Sequence, residues 1–161
     1  MTLILTDAQL AQIFVHTQAE DPNEACGLLA GVAGRVIQVL PASNVAENPA
    51  VKYLMDPHDQ LRYFQAIEKQ GLELLGIYHS HPNSPAYPSP TDLSMAYYPE
   101  AVYGIVSLVD KENPVFRTFC ISDRQVSEVN FKVIPSGATG TQPAYLQPEI
   151  TKTSIDKPPA L

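Results

Sequence analysis

The chain is poor in cysteine, in basic residues and in long apolar runs, and each shortage removes a class of protein. Its 161 residues include only two cysteines. Cys26 and Cys120 lie far apart and form no CxxC pair, so neither a disulfide framework nor a cysteine-rich zinc site is indicated, and a reduced cytoplasmic protein is expected. No apolar stretch approaches the roughly 18 residues of a spanning helix, and the opening MTLILTDAQLAQ turns polar without any basic region. A soluble, unsecreted protein without a membrane partner is the expectation. Ten lysines and arginines against 17 aspartates and glutamates leave a formal charge of −7. Binding a phosphate backbone depends on basic side chains displacing counterions, so nucleic acid is not the expected partner. There is no internal repeat. The length suits one domain, which buries roughly 70% of its unfolded surface and needs no cross-links.

Residues 1–134 read as that domain and 135–161 as a tail. Thr6-Asp7-Ala8-Gln9 is a capping box, and Leu10, Ile13, Phe14 and Thr17 follow at helical spacing, predicting an amphipathic helix over 7–19 that Asp21-Pro22 ends. Apolar runs at 25–32 and 35–40 flank Ala33-Gly34, the pattern of a β-hairpin. Residues 44–49 read as loop and 51–55 as a short strand. Asp56 caps and Pro57 opens a second helix, with Leu61, Phe64, Ile67 and Glu68 at a 3.6 period until Gly71. The largely apolar run 72–81 suits a strand in the middle of a sheet covered on both faces, and Pro82 terminates it. Ser89 caps a third helix that should reach about Tyr98, and strands follow at 101–110, 115–122 and 125–134. This order predicts an α/β fold, a mixed sheet with helices on its faces. The tail is rich in proline, glycine, serine and threonine and cannot bury enough surface to offset its ordering, so it is expected to be mobile or docked on a partner.

The chemistry concentrates in 74–92, LLGIYHSHPNSPAYPSPTD. Strand side chains at i and i+2 share a face about 7 Å apart, so His79 and His81 can reach one metal, whereas on a helix this spacing would turn them apart. Asp92, from the first turn of the next helix, would complete a set of two nitrogens and one oxygen, the ligands of an open catalytic zinc site with a fourth position for water. A carboxylate there also interposes negative charge between a cation and the positive helix end. A plainer reading uses the same residues: two histidines at a polar exit from the sheet, and Ser89 with Asp92 as a capping box that needs no metal.

The string His79-Ser80-His81-Pro82, six residues, then Ser89-Pro90-Thr91-Asp92 resembles the HxHP-x6-SxxD signature of the JAMM/MPN+ (Mov34/PAD-1-like) zinc metalloproteases. Upstream, Pro22-Asn23-Glu24-Ala25-Cys26-Gly27-Leu28-Leu29 is similar to that family's N-terminal segment, and the resemblance spans about 1–134. It implies a three-layer α/β/α sandwich with a mixed sheet, of cytidine-deaminase-like architecture. It also implies one zinc ion held by His79, His81, Asp92 and a water, with Glu24 as general base and Ser89 donating to the developing oxyanion. The Ser89 hydroxyl has one proton and two lone pairs, so it can cap the helix and still donate. By the same resemblance the substrate is a peptide or isopeptide bond after the C-terminal glycine of a ubiquitin-like protein. Short connections at 55–58 and 110–115 leave little room for ubiquitin-gripping insertions and point to a compact prokaryotic-type member acting on sulfur-carrier proteins. The oligomeric state, a homodimer among the options, is left open.

Other residues take quieter readings. Cys26 is read as a small buried hydrophobe, His16 and His58 as solvated, and Ser80 as a packing or ligand-supporting residue pointing away from its flanking histidines. Tyr87, Tyr97 and Tyr98 line a groove or pack in the core. Three alternatives compete with the peptidase. A non-catalytic scaffold of the same fold would lack metal ligands, which this chain retains. A nucleotide deaminase needs HxE and PCxxC elements, which are absent. A general small-peptide hydrolase would not depend on a carrier protein.

Overall fold

The computed structural model describes residues 1–137. The tail read over 135–161 therefore lies outside the described residues except at its start, where the Ser136 backbone N–H donates to Asp7 Oδ1 at 2.9 Å. Elements run β1 (Leu3–Thr6), α1 (Asp7–Glu20), β2 (Cys26–Val32), β3 (Arg35–Ala42), α2 (Pro57–Lys69), β4 (Glu73–His81), α3 (Pro90–Ser94), β5 (Val102–Ser107), β6 (Val115–Ser122), β7 (Gln125–Val129) and β8 (Phe131–Ile134). No helix among the described residues is long and apolar enough to cross a membrane.

The helix starts follow the capping chemistry. Thr6 Oγ1 accepts from Gln9 N–H at 3.1 Å while Gln9 Oε1 accepts from Thr6 N–H at 2.9 Å, closing the box that opens α1. Asp56 caps α2 by accepting from His58 N–H at 2.8 Å, with Pro57 in the first turn. The hairpin forms as β2 and β3, with the turn residues Ala33 and Gly34 both at positive φ.

The sheet is mixed, in the order β7-β6-β5-β4-β2-β3-β1-β8, with β4 and β2 central. One of its faces packs α1 through Ile13, Leu10 and Phe14 against Leu29, Leu75, Tyr78, Val102 and Phe116. The other packs α2 and the α3 region through Ile67, Phe64, Leu93 and Tyr98 against Leu28, Ile77, Tyr103 and Ile105. These are the three α/β/α layers. Along β4, Leu74 and Ile77 face one side and Leu75 and Tyr78 the other. That slip of one residue coincides with the bulge opposite Leu29 and Ala30.

Four local readings need correction. Leu3–Thr6 is a strand, although four residues show too little periodicity to reveal it, because it pairs in parallel with β8 more than a hundred residues later. The segment 51–55 is no strand but a single bridge, Asn44 with Met55. The third helix stops at Ser94, and the Tyr98 N–H that would continue it donates instead to the Tyr103 hydroxyl at 3.0 Å. The last predicted strand splits at Asn130: β7 lies at one end of the sheet and β8 at the other. The sheet therefore curls until a single residue joins its two edges, and Phe116 meets Phe131 edge-to-face at 5.1 Å.

At Gly31 the fold admits no side chain, because a Cβ would lie 1.9 Å from the backbone carbonyl oxygen of Arg35. Gly71, at φ +65°, has open space around it. Gly31→Ala is expected to cost about 3 kcal/mol or more, since relief requires moving a paired strand. Gly71→Ala is expected to cost about 1–2 kcal/mol, from its left-handed backbone alone. Urea unfolding of the two variants measures the contrast.

Candidate metal centre

β4 ends on the two histidines. Its neighbours set Cys26 beside His79 on one side and Ile105 on the other. His79 and His81 are 1% and 4% exposed. Strand alternation turns both toward the face covered by α2 and α3, and turns Ser80 to the opposite face. After Pro82 the chain folds back, held by Leu108 N–H on the His81 carbonyl at 3.0 Å and by the Ser107 hydroxyl on the Ser84 carbonyl at 2.7 Å. His81 Nδ1 lies 2.9 Å from the Pro85 carbonyl oxygen. A carbonyl only accepts, so Nδ1 carries the hydrogen and the Nε2 lone pair of the neutral ring faces the cluster.

Asp92 reaches the same point from α3. Ser89 Oγ accepts from Asp92 N–H at 3.1 Å and Asp92 Oδ2 accepts from Ser89 N–H at 2.8 Å, a reciprocal box that fixes the carboxylate. Its Oδ1 lies 3.2 Å from His79 Nε2 and its Oδ2 3.1 Å from His81 Nε2. At five residues α3 has little macrodipole, so the capping box, more than helix charge, orients Asp92. Because the Ser89 hydroxyl is used here as an acceptor, its proton remains free to donate.

The donor set fits a cation. The two Nε2 atoms are 3.0 Å apart, and the donor atoms of His79, His81 and Asp92 all lie within 4.8 Å of one another. Two imidazole lone pairs at that distance, beside a carboxylate, repel one another unless a positive charge lies between them. Burial works against protonating His81, but its bonds to Asp92 and Pro85 and the charges of Asp92 and Glu24 outweigh this and raise its pKa. Burial would raise the Asp92 carboxyl, yet its bonds to the two histidines and to Ser89 hold it far below the usual carboxylate range. Two imidazoles and one carboxylate are the donors of an open zinc site. His79 Nδ1 is buried with no hydrogen-bond partner among the described residues. This ring is oriented by stacking on Tyr53, centroids 4.7 Å apart and planes at 29°.

Glu24 is 5% exposed and stands just before β2, where the start of that strand lies beside the end of β4. Burial pushes its carboxyl up to about 7; the charge of His81 opposes this and that of Asp92 adds to it. A carboxylate poised there can take and return a proton near neutral pH. Its backbone is clamped on both sides. Glu24 N–H donates to the Pro49 carbonyl at 2.7 Å, Asn44 Nδ2 donates to the Glu24 carbonyl at 2.9 Å, and the next N–H, of Ala25, donates to Ser80 Oγ at 2.8 Å. Ser80 is thus a buried residue whose hydroxyl supports the neighbour of Glu24 and bonds none of the histidines or Asp92.

Elsewhere the outcome is mixed. Cys26 is fully buried with Sγ near the carbonyls of Ala42 and Ser43, and burial pushes its thiol up to about 12, in keeping with a packing role. His58 is exposed. His16 is not simply solvated: its Nδ1 meets the Tyr78 hydroxyl at 2.8 Å. Tyr97 and Tyr98 line an apolar cavity of about 130 Å³ with Leu28, Leu54 and Met55, and Tyr53 joins that cavity to His79. Tyr87 packs edge-to-face on Phe119 at 5.5 Å. Neither Tyr53 nor Asn44 carries a motif, and no periodicity marks them.

Comparison with known proteins sets this geometry in context. Residues 6–121 match the family described as prokaryotic homologs of the JAB domain. The chain is 40% identical over 106 residues, 65% of its length and 71% of the relative's, to a probable TtuB-protein conjugate cleaving protease of Thermus thermophilus. It is 36% identical over 121 residues, 74% of its length and 82% of the relative's, to the CysO-cysteine peptidase of Mycobacterium tuberculosis. A solution structure from Desulfitobacterium hafniense superposes with a TM-score of 0.76 at 34% identity, covering 84% of this chain and 94% of that one.

The raised pKa of Glu24 has a stability consequence with a definite sign. Its folded pKa of about 7 exceeds the ordinary 4.5. The neutral side chain's favourable burial is therefore fully present below about 4.5 and lost as pH rises through about 7. Metal-free Glu24→Gln, which never ionises, is expected to melt above the parent at pH 8 and together with it at pH 4. Thermal melts at the two pH values check this.

Proposed function

Because the chain belongs to the family of prokaryotic homologs of the JAB domain, we propose that it is a zinc-dependent peptidase hydrolysing the bond after the C-terminal glycine of a ubiquitin-like or sulfur-carrier protein. The observation that carries this reading is the convergence of His79, His81 and Asp92, with Glu24 buried close enough to feel the charges of His81 and Asp92. The names of the relatives, a conjugate-cleaving protease and a CysO-cysteine peptidase, support the substrate class.

In this reading His79 Nε2, His81 Nε2 and the Asp92 carboxylate would hold one zinc ion and leave a fourth position for water. A bound zinc ion polarises a carbonyl and lowers the pKa of its water to about 7. Glu24, a carboxyl whose proton affinity burial raises in the metal-free chain, takes the proton from the attacking water and returns it to the departing amine. Ser89 accepts from Asp92 N–H and so keeps its hydroxyl proton for the oxyanion that develops on the substrate carbonyl. The apolar cavity beside Tyr53 offers a surface to residues upstream of the glycine, and glycine itself lets the substrate backbone approach the site closely.

The catalytic unit is residues 1–134, with 135–161 outside it. The reading requires no nucleic acid or membrane surface and sets the reaction in the cytoplasm, consistent with two free thiols. All the proposed ligands come from one chain, so a homodimer is compatible but not required.

The test is turnover of a small ubiquitin-like carrier ending in Gly-Gly and extended by a single cysteine, followed by mass spectrometry with zinc-loaded protein. Release of the carrier at its terminal glycine is expected, with Glu24→Gln slower by about 10²–10⁴-fold at unchanged zinc content. Equal turnover of the carrier and of a free glycine peptide would instead indicate a general small-peptide hydrolase.

A further inference from the structure

The segment between β3 and α2 contains no regular element, yet it touches both the candidate base and the ring stacked on His79, and one side chain organises it. Asn44 is half-buried. Its Nδ2 donates to the Glu24 carbonyl at 2.9 Å and to the Lys52 carbonyl at 3.0 Å, with the Pro49 carbonyl at 3.5 Å. Its Oδ1 accepts from Ala46 N–H and from Leu54 N–H, both at 3.0 Å. Carbonyls surround one end of the amide and N–H groups the other, so its orientation is dictated.

Lys52 and Leu54 are the residues on either side of Tyr53. One primary amide therefore ties the backbone of Glu24 to the backbone on both sides of the aromatic ring that stacks on His79. We infer that Asn44 is a positioning residue of the reaction: by tying the Glu24 carbonyl to the loop that carries Tyr53, it sets where Glu24 stands relative to the histidines, without itself touching substrate. The inference rests on Glu24 being the base. Asn44 also completes the hold on Glu24 from the side opposite β4: the Ser80 hydroxyl fixes the next residue from the sheet, and Asn44 fixes Glu24 from the loop. A misplacement of about 1 Å in a reacting group can cost about a hundredfold in rate.

Asn44→Asp isolates the role. It keeps the oxygen that Ala46 and Leu54 use but turns a charged oxygen toward the Glu24 and Lys52 carbonyls. With the zinc-loaded full chain and the extended carrier, Asn44→Asp should lower kcat about tenfold to a hundredfold while KM stays within about twofold. Zinc content and the slow amide exchange of Ala46 and Leu54 should stay at parental levels. Asn44→Ala removes both sets of bonds without adding charge; it should lose the exchange protection as well as kcat, and it carries the same comparison if the aspartate variant does not fold. Because Asn44 acts through Glu24, Glu24→Gln/Asn44→Asp should be no slower than Glu24→Gln alone. Parental kcat in both Asn44 variants, or losses that multiply in the double variant, would overturn the positioning role. Parental kcat in Glu24→Gln is a different result, and it removes the base assignment itself.

Discussion

Two imidazole nitrogens 3.0 Å apart, buried beside a carboxylate, are the constraint from which the rest of the architecture follows. Such a group is costly to bury unless positive charge sits among its donors and its remaining atoms are bonded. The fold meets the second condition with backbone at His81 and Asp92, while His79 Nδ1 has no partner among the described residues. His81 Nδ1 has the Pro85 carbonyl, and Asp92 Oδ2 has the Ser89 N–H. A central strand is needed because only there do neighbours on both sides hold the histidines inside, and the parallel pairing with β5 brings Leu108 and Ser107 up against the loop that follows. The five-residue α3 is too short to add much packing; its contribution is a cap that aims one carboxylate.

Glu24 belongs to the same constraint by a different route. It is not in a strand, and its position comes from antiparallel β2–β4 pairing on one side and the Asn44 loop on the other. The burial that lifts its carboxyl to about 7 weakens the metal-free protein above that pH. Proton transfer near neutrality needs that same burial. Stability and chemistry thus pull against each other at this residue, as expected at a site rather than in a core.

Much of this was legible from residue order because the signals are local. The i, i+2 spacing of His79 and His81 has meaning only on a strand, and the apolar run before them announces one. Thr6-Gln9 and Ser89-Asp92 are capping pairs whose partners sit three residues apart, and both form. What escaped is non-local. β1 finds its partner at Phe131–Ile134, and the split of the final strand at Asn130 depends on the curl of the whole sheet, with neither glycine nor proline to mark it. Residues 51–55 are apolar enough to read as a strand, but the Asn44 side chain takes the Lys52 and Leu54 backbone bonds that a neighbouring strand would have made. The same substitution of side chain for strand hid Tyr53 and Asn44 from the sequence, since nothing in their spacing points to Glu24 or His79. The burial of His16 against Tyr78 was likewise invisible, because it depends on how α1 lies across the sheet.

The central claim is that one cation is held by the two histidines of β4 and by Asp92. X-ray absorption at the zinc edge, on protein loaded with one equivalent, tests it most directly. Two imidazole nitrogens and oxygen donors at about 2.0–2.2 Å, with one imidazole lost in His81→Ala, are the predicted result. A sulfur scatterer at about 2.3 Å, or a spectrum unchanged by His81→Ala, would contradict it.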